Sequence, residues 1–348
     1  MEVSLKKVVL GLSGGVDSAV SALLLKKQGY DVTGVFLDMG TGDLEGARAV
    51  ADEIGIDFQT VNIEKKLSNL VMEPFIDAYL GGLTPNPCIL CNPKVKFPAL
   101  IKAADEIGAE YAATGHYALV DYDSTSGMYR LLASPGDNDQ SYMLSRLDQR
   151  ILSRLILPLG SYSKSDVRKI AWENRLSVAS KPDSMEICFI PDGDYAAFIE
   201  KHRQIPPEGD FVDIHGNVLG RHKGIHRYTQ GQRRGLGVAA GKRMFVLKIE
   251  PETNRVVLSD AEDLAVSEIH VNNLIWVSIK PPETAIDVDI KVRHTKLLYA
   301  GKVIPGARDT ARVIFDTPVR MPAAGQTAAF YRDNVMLGSG IILRRESI

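Results

Sequence analysis

The stretch from Val8 to Leu25 constrains the fold more than any other. Val8, Val9 and Leu10 form an apolar run that breaks at Gly11-Leu12-Ser13-Gly14-Gly15-Val16-Asp17-Ser18 and resumes as Ala19-Val20-Ser21-Ala22-Leu23-Leu24-Leu25. This order predicts a strand, a glycine loop and a helix. Glycines let backbone amides crowd around an anion, and the following helix turns its free N–H groups and positive dipole end toward the same point. Ser13 and Ser18 add hydroxyl donors. A Walker loop, Gly-x-x-x-x-Gly-Lys-Ser/Thr, needs a lysine to reach the outer phosphates, and none stands between Val8 and Leu25. The loop therefore suits pyrophosphate better than a transferred γ-phosphate. The alternative reading is a plain tight turn between strand and helix.

Strand-like and helix-like stretches then alternate. Asp31 to Leu37 reads as a buried strand, Leu44, Ala47, Val50, Ala51 and Ile54 recur at helical spacing, and Phe58 to Ile63 reads as a third strand. The pattern predicts an α/β doubly wound parallel sheet, whose ligands gather outside the carboxyl ends of the strands. Helices are expected from Lys65 to Tyr79 and from Val95 to Ile107. Tyr111 to Tyr117 reads as a strand ending at the active edge, where His116 is either a ligand contact or an ordinary edge histidine. Leu119 to Leu132 has the form of a hairpin, and Ser163-Lys164-Ser165-Asp166 caps a helix running to about Asn174.

Between two of these helices lies Thr84-Pro85-Asn86-Pro87-Cys88-Ile89-Leu90-Cys91-Asn92-Pro93. Its prolines argue against regular structure there. The spacing of Cys88 and Cys91 lets two sulfurs converge on one ion or react with each other. Cys188, between Ile187 and Phe189, has the setting of a small buried hydrophobe, yet it is the only further partner for that pair. Three cysteines point to metal or redox chemistry rather than to a disulfide framework.

A chain of 348 residues exceeds the size at which one core keeps growing. The texture changes near Pro206, where short strands and glycine turns replace helical periodicity, so the expected division is 1–205, 206–265 and 266–348, the last a small β-barrel. A net charge of −2 gives no general attraction to nucleic acid. Any such affinity is local, and Arg221 to Ile249 holds eight Lys or Arg and no Asp or Glu. Interleaved Gly, Tyr and Gln in that run suit a phosphate backbone, although a charge run is usually a solvated face. No apolar run approaches a membrane span, and Met1 to Lys7 leads straight into the first strand without room for a signal peptide. The expected location is cytoplasmic, with no membrane partner.

The Ser13–Ser18 loop resembles that of the PP-loop ATP pyrophosphatases, which adenylate a carbonyl oxygen and discard pyrophosphate. Thr84-Pro85-Asn86-Pro87, Cys91-Asn92, Ala113-Thr114-Gly115-His116-Tyr117, Asp139-Gln140-Ser141-Tyr142, Ile187-Cys188-Phe189-Ile190 and Gly231-Gln232-Arg233-Arg234-Gly235-Leu236-Gly237 extend the likeness. In this order they resemble the tRNA-specific 2-thiouridylase family over nearly the whole length. The resemblance implies ATP-dependent replacement of the 2-oxygen of the tRNA wobble uridine by sulfur. It implies ATP binding by Gly11, Leu12, Ser13, Gly14, Gly15, Val16, Asp17 and Ser18, with Leu37 and Gly115 lining the nucleotide. Cys91 takes the nucleophilic position and Cys188 the persulfide position, the two able to pair as a disulfide. Asn86, Pro87 and Cys88 face the target base. His116, Asn138, Asp139, Gln140, Arg293, His294 and Gln326 touch tRNA. Leu37 replaces a common Met and Asn138 a common Lys.

Many members of that family have Asp where this chain has Cys88. Three thiolates, Cys88, Cys91 and Cys188, can hold a four-iron four-sulfur cluster with one iron open to exogenous sulfide. The persulfide route needs only Cys91 and Cys188. Both routes stay open, and the cluster is preferred because it accounts for the extra thiol. The expected cofactors are ATP, Mg²⁺ as the phosphates' counter-ion with Asp17 the nearest carboxylate, and the cluster. The expected partners are tRNA and a sulfur donor: a cysteine desulfurase, a relay protein or inorganic sulfide. Two other readings are an RNA-binding module with a structural zinc site and an idle ATP loop, and another PP-loop ligase.

Overall fold

The computed structural model describes residues 5–183, 187–239 and 241–345. Its first part carries strands β1 (Lys7–Gly11), β2 (Asp31–Asp38), β3 (Asp57–Asn62), β4 (Tyr111–Ala113), β5 (Ala118–Asp123), β6 (Met128–Ala133) and β7 (Leu155–Ile156). The helices are α1 (Val16–Lys27), α2 (Leu44–Ile54), α3 (Glu64–Leu67), α4 (Glu73–Leu80), α5 (Pro87–Cys91), α6 (Phe97–Ile107), α7 (Gln149–Leu152), α8 (Lys164–Glu173) and α9 (Tyr195–His202).

Five strands form a parallel sheet in the order β3-β2-β1-β4-β7. β1 is central and covered on both faces, which is why it reads as an unbroken apolar run. Val9 packs into a core with Phe97, Leu100 and Ala104 of α6. Val8 and Leu10 point the other way, into a core with Ala19 and Val20 of α1, Val50 of α2 and Val167 of α8. The expected helix from Lys65 to Tyr79 is present as α3 and α4 joined by a π-helical turn, Ser68–Met72.

The proline-flanked loop differs from its sequence reading, because it contains a helix. Pro87 is the first residue of α5, a position that needs no N–H, and the Asn86 side chain caps it by accepting from the Cys88 N–H at 3.1 Å. Cys88 and Cys91 therefore ride on a helix, which runs through a π-helical turn, Asn92–Lys96, into α6. β4 is also shorter than expected and stops at Ala113, leaving Thr114, Gly115 and His116 as a loop at the sheet's carboxyl edge.

Strands β8 (Gly209–Val212), β9 (Val218–His222), β10 (Phe245–Glu250) and β11 (Arg255–Ser259) make a small sheet in the order β10-β11-β8-β9. The last part comprises β12 (Ala265–Trp276), β13 (Ile286–Lys291), β14 (Tyr299–Pro305), β15 (Ala311–Arg320), β16 (Thr327–Arg332) and β17 (Val335–Ile342). They run β12-β15-β14-β13-β16-β17, and β17 pairs back to β12, closing a barrel around Val271, Ile290, Val303, Val313 and Phe330. The β5–β6 hairpin of the first part adds to this barrel, with Leu131 and Leu132 of β6 opposite Met336 and Val335 of β17. Among the described residues no helix is long and apolar enough to cross a membrane.

Candidate active site

The glycine loop sits at the carboxyl end of β1, in the crevice where β2 and β4 flank it on either side. Gly14 adopts φ +73°, and a Cβ there would lie 2.9 Å from the Ala47 backbone nitrogen, so only glycine fits between the loop and α2. Gly15 begins α1 without a side-chain cap, leaving first-turn N–H groups for a ligand. Ser13 is exposed at the rim. Its N–H donates to Ser18 Oγ at 3.2 Å, and that hydroxyl donates to the Gly15 carbonyl at 3.0 Å, which closes the loop on itself. Leu12 and Val16 are buried beneath it. Half-buried Leu37 at the end of β2 and Gly115 border the same edge. A Cβ on Gly115 would approach the Asp17 backbone to 3.0 Å.

Lysines absent from the loop's own sequence arrive from elsewhere. Lys164, the first residue of α8, donates to both carboxylate oxygens of Asp17 at 2.8 Å and pairs with Asp183 at 2.8 Å. The Tyr117 hydroxyl donates to Asp17 at 2.6 Å. Arg168 pairs with Asp183, and Lys181 donates to the Gly14 carbonyl at 3.0 Å and pairs with Asp43. Asp17 is thus spoken for by protein groups and does not stand free as a Mg²⁺ ligand. In sequence Lys164 reads only as part of a helix cap, and nothing ties Lys181 to the loop.

The segments that carry Cys91 and Cys188 meet in one apolar cluster. Cys91 is buried in an apolar cluster with Val71, Phe75, Phe189 and Ile190, against which Leu37 also packs. That packing draws the Cys188 segment to α5. Cys188 is exposed, Cys88 is half-buried, and all three are free thiols. Desolvation pushes the Cys91 thiol up to about 11, opposed by the Lys96 charge and a hydrogen bond from the Lys96 backbone, and reinforced by the neighbouring Cys188 and Cys88. Desolvation also raises the Cys188 thiol against the pull of Lys96. His116 accepts or donates at 2.7 Å to Thr114 Oγ1 and lies with its ring 6.0 Å from that of Phe97. Desolvation, and secondarily Lys96, hold its imidazole well below the ordinary value, so it is neutral near pH 7.

Two walls hold the loop before α5. Asn86 Nδ2 lies 3.4 Å from the Met143 sulfur, and Asn92 Nδ2 donates to the Met143 carbonyl at 2.8 Å. From the barrel, Gln326 Nε2 donates to the Thr84 carbonyl at 2.8 Å, while the Thr84 N–H donates to the Ala324 carbonyl at 2.8 Å. Gln326 thereby positions the segment that carries Asn86 and Pro87.

The remaining residues implied to touch tRNA divide in two. Asp139 turns inward, where one carboxylate oxygen accepts from the Ser134 and Ser141 N–H groups and the other accepts from Lys291 Nζ at 3.1 Å. Gln140 exchanges hydrogen bonds with the Tyr117 backbone. Asn138, Arg293 and His294 are exposed, the last 3.2 Å from the Asp139 carbonyl through Nε2. The basic run from Arg221 to Ile249 is more neutral than its sequence suggests. Arg221 pairs with Asp210, Arg227 with Glu200, Lys242 with Asp260 and Lys248 with Glu250. Among the described residues, exposed Lys223, Arg233, Arg234 and Arg243 make no ion pair.

Comparison with known proteins identifies this arrangement. A tRNA methyl transferase HUP domain model matches residues 6–192, a tRNA methyl transferase PRC-barrel domain model 196–260, and an aminomethyltransferase beta-barrel domain model 266–342. A tRNA-specific 2-thiouridylase MnmA of Clostridioides difficile is 43% identical over 353 residues, covering 97% of this chain and 98% of that one. The chain belongs to the tRNA-specific 2-thiouridylase family. Relatives of the same name from Caldicellulosiruptor saccharolyticus and Acetivibrio thermocellus are 40% and 42% identical, each over 97% of this chain and 98% and 99% of their own. The HUP domain model spans the glycine loop, and that match supports the use of ATP.

Proposed function

We propose that the chain adenylates the 2-oxygen of the tRNA wobble uridine with ATP and replaces that oxygen with sulfur; its relatives are named tRNA-specific 2-thiouridylases. One observation carries the reading. An uncapped, lysine-free glycine loop stands at the carboxyl edge of the sheet, and Leu37, near the end of β2, packs against the apolar cluster that holds Cys91 of α5. Oxide is a poor leaving group. Once the uridine oxygen attacks the α-phosphorus and pyrophosphate departs, AMP can leave instead. Sulfur then forms a bond to C2 as the C2–O bond breaks and its electron pair goes with AMP. The loop amides, Ser13 and Lys181 hold the departing pyrophosphate. Mg²⁺ arrives with ATP as counter-ion to its phosphates.

For the sulfur we infer the persulfide route, which the exposure of Cys188 and the shared cluster of its segment with Cys91 support. A donor protein loads Cys188, whose exposure admits one, and buried Cys91 resolves the transfer by attacking the Cys188 sulfur, leaving a Cys91–Cys188 disulfide for an external thiol to reduce. Cys88, Cys91 and Cys188 would be the ligands of a cluster, but no three His, Cys, Asp or Glu side chains among the described residues are gathered closely enough to hold a metal. The trio does not fit a cluster in this arrangement, and no step is drawn through one. A Cys88→Asp variant that keeps full activity without iron supports the persulfide route. Iron and labile sulfide in anaerobically prepared protein, lost together with activity in that variant, would restore the cluster.

Exposed Arg233 and Arg234 would meet the tRNA backbone, and a wobble base flipped from its stack would enter between Asn86 and Cys91. The expected location is the cytoplasm, where tRNA and ATP are available. The zinc-bearing RNA-binding module is not favoured, since a full-length match to enzymes leaves it no distinguishing feature. ATP labelled at the α-phosphate should give AMP and pyrophosphate only with tRNA present. ADP and phosphate would contradict the reading.

A further inference from the structure

Residues 81–84, which lead into Asn86 and α5, are gripped from both of the later parts of the chain. Arg344, just after β17, donates to the Gly81 carbonyl. Gly82 adopts φ +69°, and a Cβ there would lie 2.8 Å from Ile249 Cγ2 of β10, so only glycine permits that approach. The barrel turn at 323–326 comes as near. Gly325 adopts φ +89°, and a Cβ on it would lie 3.0 Å from the Thr84 nitrogen. The backbone N–H and carbonyl of Thr84 are held by Ala324 and Gln326 of that turn, and its hydroxyl donates to Thr229 Oγ1 at 3.4 Å.

Gln230 ties these grips together. Its Oε1 accepts from the Ala324 N–H at 3.1 Å, while its Nε2 donates to the Leu247 carbonyl of β10 at 2.9 Å and lies 3.3 Å from the Met321 sulfur. One amide thus joins the small sheet to the barrel turn, and the Ala324 that donates to it uses its own carbonyl to accept from the Thr84 N–H at 2.8 Å. The pairing of β10 with β11 shifts register at Leu247, a device that re-aims backbone groups. Gln230 is itself held in place. The next residue, Gly231, donates through its N–H to the Val246 carbonyl at 2.7 Å and accepts at its carbonyl from Arg320 Nη2 of β15 at 2.6 Å. Arg233 and Arg234 follow in the same loop.

Resting on the reading above, we propose that Gln230 is a positioning residue for the target base. It fixes the barrel turn at 323–326 on the small sheet, the turn fixes Thr84, and Thr84 sets where Asn86 and the start of α5 stand as the wobble base enters. The uridine oxygen must lie in line with the α-phosphorus for adenylation, and C2 must then meet the sulfur. Both half-reactions therefore depend on one placement of the base, and misplacing it by about 1 Å costs on the order of 100-fold in rate. Affinity for tRNA comes mainly from phosphate contacts and does not depend on that placement.

Binding and rate therefore separate in the test. Full-length Gln230→Met keeps the length of the side chain and loses the bonds to Ala324 and Leu247, whereas Gln230→Glu keeps an oxygen that accepts from the Ala324 N–H. Each is given unmodified tRNA, ATP, a cysteine desulfurase and cysteine, and tRNA affinity, pyrophosphate release at saturating tRNA and thiouridine formation are measured. Gln230→Met should bind tRNA within about twofold of the parent, while pyrophosphate release and thiouridine formation fall together by about 30-fold. Gln230→Glu should recover about tenfold of that loss, because it restores the bond to the barrel turn. Parental tRNA affinity shows that a variant is folded. Parental pyrophosphate release in Gln230→Met, a fall in tRNA affinity that accounts for the whole loss of rate, or a Gln230→Glu no faster than Gln230→Met overturns the proposal. A parent protein that releases no pyrophosphate with tRNA is a different outcome, the failure of the underlying reading.

Discussion

Lys164 donates to both carboxylate oxygens of Asp17 at 2.8 Å, and the two residues are 147 positions apart in the chain. The contact ties the start of α8 to the first turn of α1, beside the phosphate loop. Asp17 is thereby paired within the protein, so in the proposed reading its charge would be offset where the phosphates of ATP bind. Lys164→Met should raise the KM for ATP and lower stability by about 1–2 kcal/mol, between the values for exposed and buried pairs because both side chains remain partly accessible. Pyrophosphate release against ATP concentration and a urea melt measure the two effects. Unchanged ATP dependence would remove Lys164 from the site.

A deeper pair joins the first part of the chain to the barrel. Lys291 and Asp139 lie 3.1 Å apart with side chains 8% and 14% exposed. Lys291→Met leaves the Asp139 charge buried without its cation, which should cost about 3 kcal/mol or more. The urea midpoint should fall accordingly, and a shift under about 0.5 kcal/mol would show that the pair is solvated.

The Cys91 thiol, raised to about 11 by desolvation, predicts a pH dependence with a definite sign. The folded state favours the protonated thiol more than the unfolded state does. Its contribution to stability is therefore complete below the ordinary thiol range and is lost as pH rises toward 11. Alkylation of Cys91 should be slow at pH 7 and climb steadily through pH 10. A rate already level at pH 8 would place its thiolate far lower.

Arg233 and Arg234 are exposed and, among the described residues, make no ion pair, unlike Arg221, Arg227, Lys242 and Lys248 of the same run. Changing both to alanine should weaken tRNA binding and reduce the slope of log affinity against log salt by about one per lost phosphate contact. Equal affinity and slope would mark the pair as a solvated surface.

Much of the first part could be read from local pattern. Val8 to Leu10 is covered on both faces and so reads as a buried parallel strand, and Ser163 with Asp166 forms the capping box that their spacing suggests. The helix holding Cys88 and Cys91 was not legible, because Pro87 reads as a breaker until Asn86 is seen capping it. Lys181, 167 residues from the Gly14 carbonyl it reaches, could not be assigned to the loop without the fold. Charge was the least legible property. Arg221, Arg227 and Lys242 look free in sequence, and their acidic partners lie on β8, on α9 and just after β11. The hairpin of β5 and β6 was evident, but its addition to the distant barrel was not.

The central claim is that this chain places sulfur on C2 of the wobble uridine at the expense of ATP. The direct test is nucleoside analysis of unmodified tRNA incubated with the full-length protein, ATP, a cysteine desulfurase and cysteine. The account predicts 2-thiouridine at the wobble position, one AMP for each sulfur incorporated, and no product when ATP is withheld. Unaltered uridine at that position with ATP consumed, or a methylated nucleoside in its place, would contradict it.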